Sequence, residues 1–258
     1  MYLPGAFKIL IMSFLIICYF STASLLWLLI KNKILQKKML VTTINLYCKT
    51  ILRILNIEVS INLHSINNDV SSPFLYVSNH LSYLDVLILF AYFPSCFITS
   101  REVKETPFLG LITTLAGCIF VERRSKNKIE DEIKEIEDTL KNKFSVFVFP
   151  EATSTNGEAI KKFKRPLFNA AITTQTSVLP LTINYLQINN QIINQQNKDL
   201  VLWYGDMTFF NHFFRLMFIK SIKVNIVISD KINPLGHDKT SLSLLANTIV
   251  EQSFIPIQ

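Results

Sequence analysis

An apolar run, Phe74-Leu75-Tyr76-Val77, stops at Ser78-Asn79-His80, and a second apolar run begins at Val86. The first has the length and composition of a buried strand, and the second reads as the opening turns of a helix over 83–92. This junction constrains the fold most, because a strand that ends in a polar turn and feeds a helix is the repeating unit of α/β proteins. That turn is also where such folds expose reactive side chains. His80 sits in the turn, and Asp85 follows it by five residues. A carboxylate beside an imidazole holds one ring nitrogen protonated and leaves the other to take a proton from a hydroxyl. With four His and nineteen acids in the chain, this spacing can also arise by chance. Asn79, the Ser82-Tyr83 pair and two polar islands downstream give it context.

The same texture runs through the rest of the chain. Strands are expected over 58–63, 74–78, 96–99, 118–121, 145–149, 177–183, 200–204 and 222–228. Helices are expected over 83–92, 107–115, 126–142, 166–174, 209–219 and 239–252. Within 126–142, Ile129, Ile133, Ile136 and Leu140 form one apolar stripe between charges. The alternation implies an α/β fold with a mostly parallel central sheet flanked by helices. It would occupy residues 58–258, with residues 1–57 as a separate N-terminal segment. Asn189 to Asn197 reads as an exposed Gln/Asn-rich loop.

Charge divides the chain at the same place. Residues 1–57 hold Lys8, Lys31, Lys33, Lys37, Lys38, Lys49 and Arg53 and no acid, while the remainder is neutral, so the whole +7 lies in the N-terminal segment. A nucleic-acid binder would carry its basic patch on the folded domain, so no nucleic-acid partner is expected. A neutral body with a basic, apolar N-terminus suits an anionic membrane surface. Phe7 to Ile30 is almost wholly apolar, and as a helix it would extend about 36 Å against a hydrocarbon core of about 30 Å. Four lysines follow it against the single Lys8 at its start, which places the body on the cytoplasmic face, the inner membrane in a bacterial cell. A helix half-buried in one leaflet is the alternative. Residues 34–57 form a basic amphipathic helix, which would lie in the headgroups or pack on the domain. Cys18, Cys48, Cys96 and Cys118 form no C-x-x-C pair and read as reduced, packed thiols without a metal.

Two islands carry further chemistry. Gly117-Cys118-Ile119-Phe120-Val121 ends in Glu122-Arg123-Arg124. A guanidinium at a strand end can grip a phosphate with two parallel hydrogen bonds, or can simply be solvated. Val146-Phe147-Val148-Phe149 ends in Pro150-Glu151-Ala152-Thr153-Ser154, and Lys161, Lys162, Lys164 and Arg165 follow. Hydroxyls and cations around a lone acid fit an anion site, although no Walker-type phosphate loop is present.

In this order and spacing, the islands resemble those of the membrane glycerolipid acyltransferases, the lysophosphatidate acyltransferase family, over roughly residues 60–185. Asn79, His80 and Asp85 match the first motif, Asn-His-(four residues)-Asp. Phe120, Val121, Glu122 and Arg123 match the second, Phe-Val-(acid)-Arg. Phe149, Pro150, Glu151 and Thr153 match the third, Phe-Pro-Glu-Gly-Thr, with Ala152 where Gly is usual and Ser154 where Arg is usual. The resemblance implies acyl transfer from a thioester to lysophosphatidate, with His80 as base and Asp85 as its orienting partner. Asn79, Arg123, Glu151, Thr153 and Ser154 would bind substrate, with Lys164 in place of the missing cation. Backbone amides just after Asn79 could serve an oxyanion. It implies no cofactor and no metal; the donor would be acyl-coenzyme A or acyl carrier protein, and the partners membrane lipids and a lysolipid acceptor. Thr153 to Gly157, Trp203 to Met207 and His212 look more like the lyso-ornithine-lipid acyltransferase branch. That keeps a different acceptor open, as does a non-catalytic lipid-binding protein.

Overall fold

The computed structural model describes residues 3–64, 73–107, 109–121 and 129–258. Eight strands form one sheet: β1 (Ile57–Leu63), β2 (Leu75–Ser78), β3 (Cys96–Ser100), β4 (Ile119–Val121), β5 (Val146–Val148), β6 (Val178–Ile188), β7 (Gln191–Ile192) and β8 (Ile222–Ile228). The order is β1-β8-β6-β2-β5-β3-β4, with β7 paired to β6. From β6 to β4 every pairing is parallel. β8 runs antiparallel to β6 and parallel to β1, which adds a second direction at one edge. The sheet is therefore mostly parallel, as the alternation predicts.

β2 lies at the centre between β5 and β6. Strands covered by helices on both faces read as continuous apolar runs, and every residue of β2 and β5 is buried. Tyr76, Phe97 and Phe147 stack on one face, the last two with planes 3° apart and centroids at 4.7 Å. That face packs against α1 (Gly5–Leu29), α2 (Lys33–Leu55), α3 (Tyr83–Tyr92) and α8 (Phe209–Met217). Leu75, Val77, Cys96, Val146 and Val148 on the other face pack against α6 (Ile129–Lys141), α7 (Phe168–Thr174) and α9 (Lys239–Gln252). The short helices α4 (Arg101–Glu105) and α5 (Leu109–Leu115) bridge β3 and β4. The expected 126–142 helix is seen as α6; residues 126–128 lie outside the described residues.

One expected strand is absent. Residues 198–200 form a 3₁₀ turn and 201–208 run irregularly. Val201 and Leu202 are buried, so the apolar signal reports core packing without sheet pairing. The segment is placed by the Trp203 amide, which donates to the Leu81 carbonyl at 3.0 Å and so lays the chain over the site turn. The Gln/Asn-rich loop holds β7 and a buried Ile193.

The N-terminal helices pack on the domain along their length. α2 starts at Asn32, whose side chain accepts from the Ile34 and Leu35 amides. It stops at Asn56, which takes the left-handed conformation that ends helices (φ 57°). Its Leu40, Ile44, Cys48 and Leu52 face the core. Asn45 is buried among them, and its amide donates to the carbonyls of Phe90 (2.6 Å) and Ala91 (2.9 Å). Those carbonyls belong to the last turn of α3 and lack helical partners. α1 buries Gly5, Lys8, Met12, Tyr19 and Ala23, with the Lys8 ammonium donating to the Ile219 carbonyl at 2.6 Å. α1 is long and apolar enough to cross a membrane.

Asn45→Ala removes a side-chain donor from two buried carbonyls and should cost about 1–3 kcal/mol. Thermal unfolding in detergent tests this; an unchanged midpoint would mean that α3 ends without help from α2.

Candidate active site

His80 lies just beyond the carboxyl end of β2, the position where open α/β sheets collect ligands. Contacts to its backbone and to its ring hold it. Its amide donates to Glu151 Oε1 at 2.7 Å, and its carbonyl accepts from the Thr155 amide at 2.9 Å. Its ring stacks on Phe149 with centroids 4.1 Å apart and planes 15° from parallel. Its Nδ1 meets Asp85 Oδ2 at 2.9 Å. The side chain remains 18% exposed, and Nε2 has no hydrogen-bond partner among the described residues. With Nδ1–H donating to the carboxylate, Nε2 presents its lone pair outward.

Asp85 is fully buried and accepts four hydrogen bonds. Besides His80, Oδ2 takes the amides of Leu81 (2.6 Å) and Ser82 (2.8 Å), and Oδ1 takes the Tyr185 hydroxyl at 2.7 Å. The Ser82 bond is half of a capping box that starts α3. The carboxylate that orients the His80 ring therefore also begins the helix behind it. Burial first, and the Asp85 charge next, push the Tyr185 phenol well above its ordinary range, so it stays a donor.

Glu151, at the end of β5, is also buried. Both of its oxygens accept backbone amides: Oε1 from His80 and Oε2 from Lys161 at 2.7 Å. Burial pushes its carboxyl up to about 7, against the opposing pull of those two amides. Asn79 is turned inward: its Nδ2 donates to the Ile183 carbonyl at 3.0 Å and its Oδ1 accepts the Ile183 amide at 2.9 Å. Asn79 and Glu151 thus tie the His80 turn to β6 and to the segment after β5. Thr153 and Lys164 are exposed and Ser154 is half-buried; the Lys164 amide donates to the Pro150 carbonyl at 2.9 Å. Arg123 lies outside the described residues.

The amides of His80, Leu81 and Ser82 are all committed to carboxylates, so the expectation that they serve an oxyanion is corrected. Ala152 takes the left-handed conformation at φ 61°, a turn that suits Gly because it lacks a Cβ. The sequence reading missed Tyr185 and gave Phe149 no role beyond its place in the third motif. A Tyr inside a buried strand does signal a hydroxyl that needs a partner, but nothing local says which.

Glu151→Gln sets an NH2 against a backbone N–H. It should lower kcat and stability, by about 1–3 kcal/mol, more than it changes KM for the acceptor. A raised acceptor KM at unchanged stability would place Glu151 on substrate instead. Because the folded carboxyl titrates near 7 instead of 4.5, its contribution is greatest below pH 4.5 and declines as pH rises to 7. Chemical unfolding across that window should show the decline in the parent and a flatter profile in the variant. Ala152→Gly relieves a left-handed alanine and should stabilise by about 1 kcal/mol. An unchanged or lower unfolding midpoint would show that the turn tolerates the methyl without strain.

Residues 56–184 match the Acyltransferase family model. The 1-acyl-sn-glycerol-3-phosphate acyltransferase of Neisseria gonorrhoeae is 36% identical over 111 residues, 43% of this chain and 44% of that protein. The lyso-ornithine lipid O-acyltransferase of Rhizobium meliloti is 27% identical over 172 residues, 64% of this chain and 59% of that protein. The chain spans about half the length of these curated relatives. The crystal structure of the 1-acyl-sn-glycerophosphate (LPA) acyltransferase from Thermotoga maritima superposes with a TM-score of 0.68 at 19% identity, covering 96% of this chain and 92% of that one, a likeness of fold. The family model matches half of the chain, over the stretch that carries His80, Asp85 and Glu151, and the chain belongs to the acyltransferase family.

Proposed function

We propose that the protein transfers a fatty acyl group from an acyl thioester to the free hydroxyl of 1-acyl-sn-glycerol-3-phosphate. The observation that carries this reading is the His80–Asp85 pair, with Nδ1 bound to the carboxylate and Nε2 open at the sheet edge. Nε2 takes the acceptor hydroxyl proton as that oxygen attacks the thioester carbonyl. Asp85 stabilises the imidazolium that forms. The tetrahedral intermediate collapses, the C–S bond breaks, and the imidazolium returns the proton to the departing thiolate, leaving an ester and a thiol. Both substrates are held together, so no acyl-enzyme is needed. Coenzyme A or acyl carrier protein supplies the thioester, and the reaction uses no cofactor or metal.

Arg123, Thr153, Ser154 and Lys164 bind the acceptor headgroup in this reading. Asn79 and Glu151 act by positioning the His80 turn. The departure at Ser154 supports a second acceptor, lyso-ornithine lipid, for which similar relatives extend over more of this chain.

The outward residues of α1, namely Phe7, Leu10, Phe14, Ile17, Leu25 and Leu28, recur at helical spacing and are about half exposed or more. The opposite stripe touches the domain at Ile219 and Ile112. This supports a helix lying along the domain with its outer face in lipid. The lysines after α1 favour the cytoplasmic leaflet. Residues 1–57 form the anchoring segment and 58–258 the acyltransferase domain.

Labelled long-chain acyl thioester offered with each lysolipid tests the proposal, using the parent and His80→Ala. Labelled phosphatidate from the parent, with at least a hundredfold loss in the variant, supports it. Label only in ornithine lipid moves the acceptor. No product with either acceptor and either donor, from folded protein that still binds lipid, contradicts it.

A further inference from the structure

We infer that α8 is a second bilayer-contacting element, whose phenylalanine face meets the lipid beside α1. This rests on the reading of α1 as membrane-facing. α8 has two unlike sides. His212, Leu216 and Met217 are buried, while Phe210, Phe214 and Phe218, four residues apart, are 71%, 48% and 60% exposed. Phe209 is exposed as well, and its ring packs on Phe213. Four exposed phenylalanines on ten consecutive residues form a contiguous apolar patch of the kind that marks an interaction surface.

The occupant follows from what the patch adjoins. A Cβ built on Gly5 would lie 2.5 Å from the Phe218 ring, so the first turn of α1 runs directly against this face. The Lys8 ammonium fastens the same turn to the Ile219 carbonyl. Beyond that contact the outward residues of α1 begin at Phe7 and Leu10, both at least half exposed. The phenylalanine patch of α8 therefore adjoins α1 at Phe218, beside the start of a helix whose outward side is also apolar. Arg215 stands exposed among the phenylalanines, a cation placed for anionic headgroups at the edge of an inserted aromatic face.

α8 also packs beside the helix that follows the His80 turn. The Phe209 ring lies 5.1 Å from that of Tyr83, and the Tyr83 hydroxyl is 2.9 Å from His212 Nδ1. Tyr83 opens α3, three residues after His80. A second copy of the chain could cover the same patch, but its contact with the lipid-facing helix at Phe218 favours the bilayer.

Nitroxide labels separate the possibilities. In the full chain the half-exposed Cys18 and Cys118 are replaced by Ala, Cys48 and Cys96 stay buried, and single cysteines are introduced as Leu10→Cys, Phe214→Cys and Leu244→Cys. The labelled proteins are reconstituted into vesicles of phosphatidylethanolamine and phosphatidylglycerol. Collision with lipid-soluble oxygen is compared with collision with a water-soluble nickel chelate. The expected result is an oxygen-to-nickel ratio several-fold higher at 10 and 214 than at 244, which lies on α9. A high ratio at 10 with a low ratio at 214 overturns the inference and leaves the membrane reading of α1 intact. Low ratios at both positions overturn both. Dipolar broadening between labels at 214 would show a second copy on the patch and also overturn it.

Discussion

Everything in the site depends on one buried carboxylate accepting four hydrogen bonds. Asp85 takes the His80 imidazole, the Leu81 and Ser82 amides, and the Tyr185 hydroxyl. A buried carboxylate left short of partners is expensive, and here the satisfaction of its lone pairs is also the construction of the site. The two amides close the turn after β2 and start α3. The imidazole bond sets the tautomer. The tyrosine binds the turn to β6, across the strand pairing on the far side of β2. Displacing Asp85 would therefore disturb base, turn and helix start together, a coupling that argues against treating any one of the bonds as separable.

Glu151 repeats the device from the other side. It accepts the His80 amide and the Lys161 amide, so the end of β5 and the segment that follows it are both referred to the same turn. Asn79 does the same toward β6 through a reciprocal pair with Ile183. Asp85, Glu151 and Asn79 thus act on backbone, while the His80 imidazole stays partly exposed. This division explains how a short polar turn stays rigid at a sheet edge: its amides are satisfied by side chains that are themselves buried. Thr153 and Lys164 remain exposed, and Ser154 half-buried.

Much of the fold was legible because its signals are local. Continuous apolar runs at 74–78 and 145–149 report strands covered on both faces, and the stripe in 126–142 reports a helix covered on one. The His80–Asp85 pairing was legible for the same reason, since five residues span a turn. Tyr185 lies a hundred positions from Asp85, and Asn45 is forty-five from Phe90; no local pattern pairs them, because the sheet order and the packing of α2 on α3 do. The run at 200–204 misled because burial and strand pairing produce the same short apolar signal. The oxyanion expectation failed because it counted amides near a helix start without asking which carboxylates had already taken them.

The central claim concerns one proton. In protein labelled with 15N-histidine, the His80 resonances can be assigned by their loss in His80→Gln, against the background of His64, His212 and His237. The account predicts a neutral ring protonated on Nδ1, with the Nε2 shift of an unprotonated nitrogen, and loss of that tautomeric preference in Asp85→Asn. A ring carrying its proton on Nε2 in the parent protein would contradict it, because such a nitrogen could not accept the acceptor's hydroxyl proton.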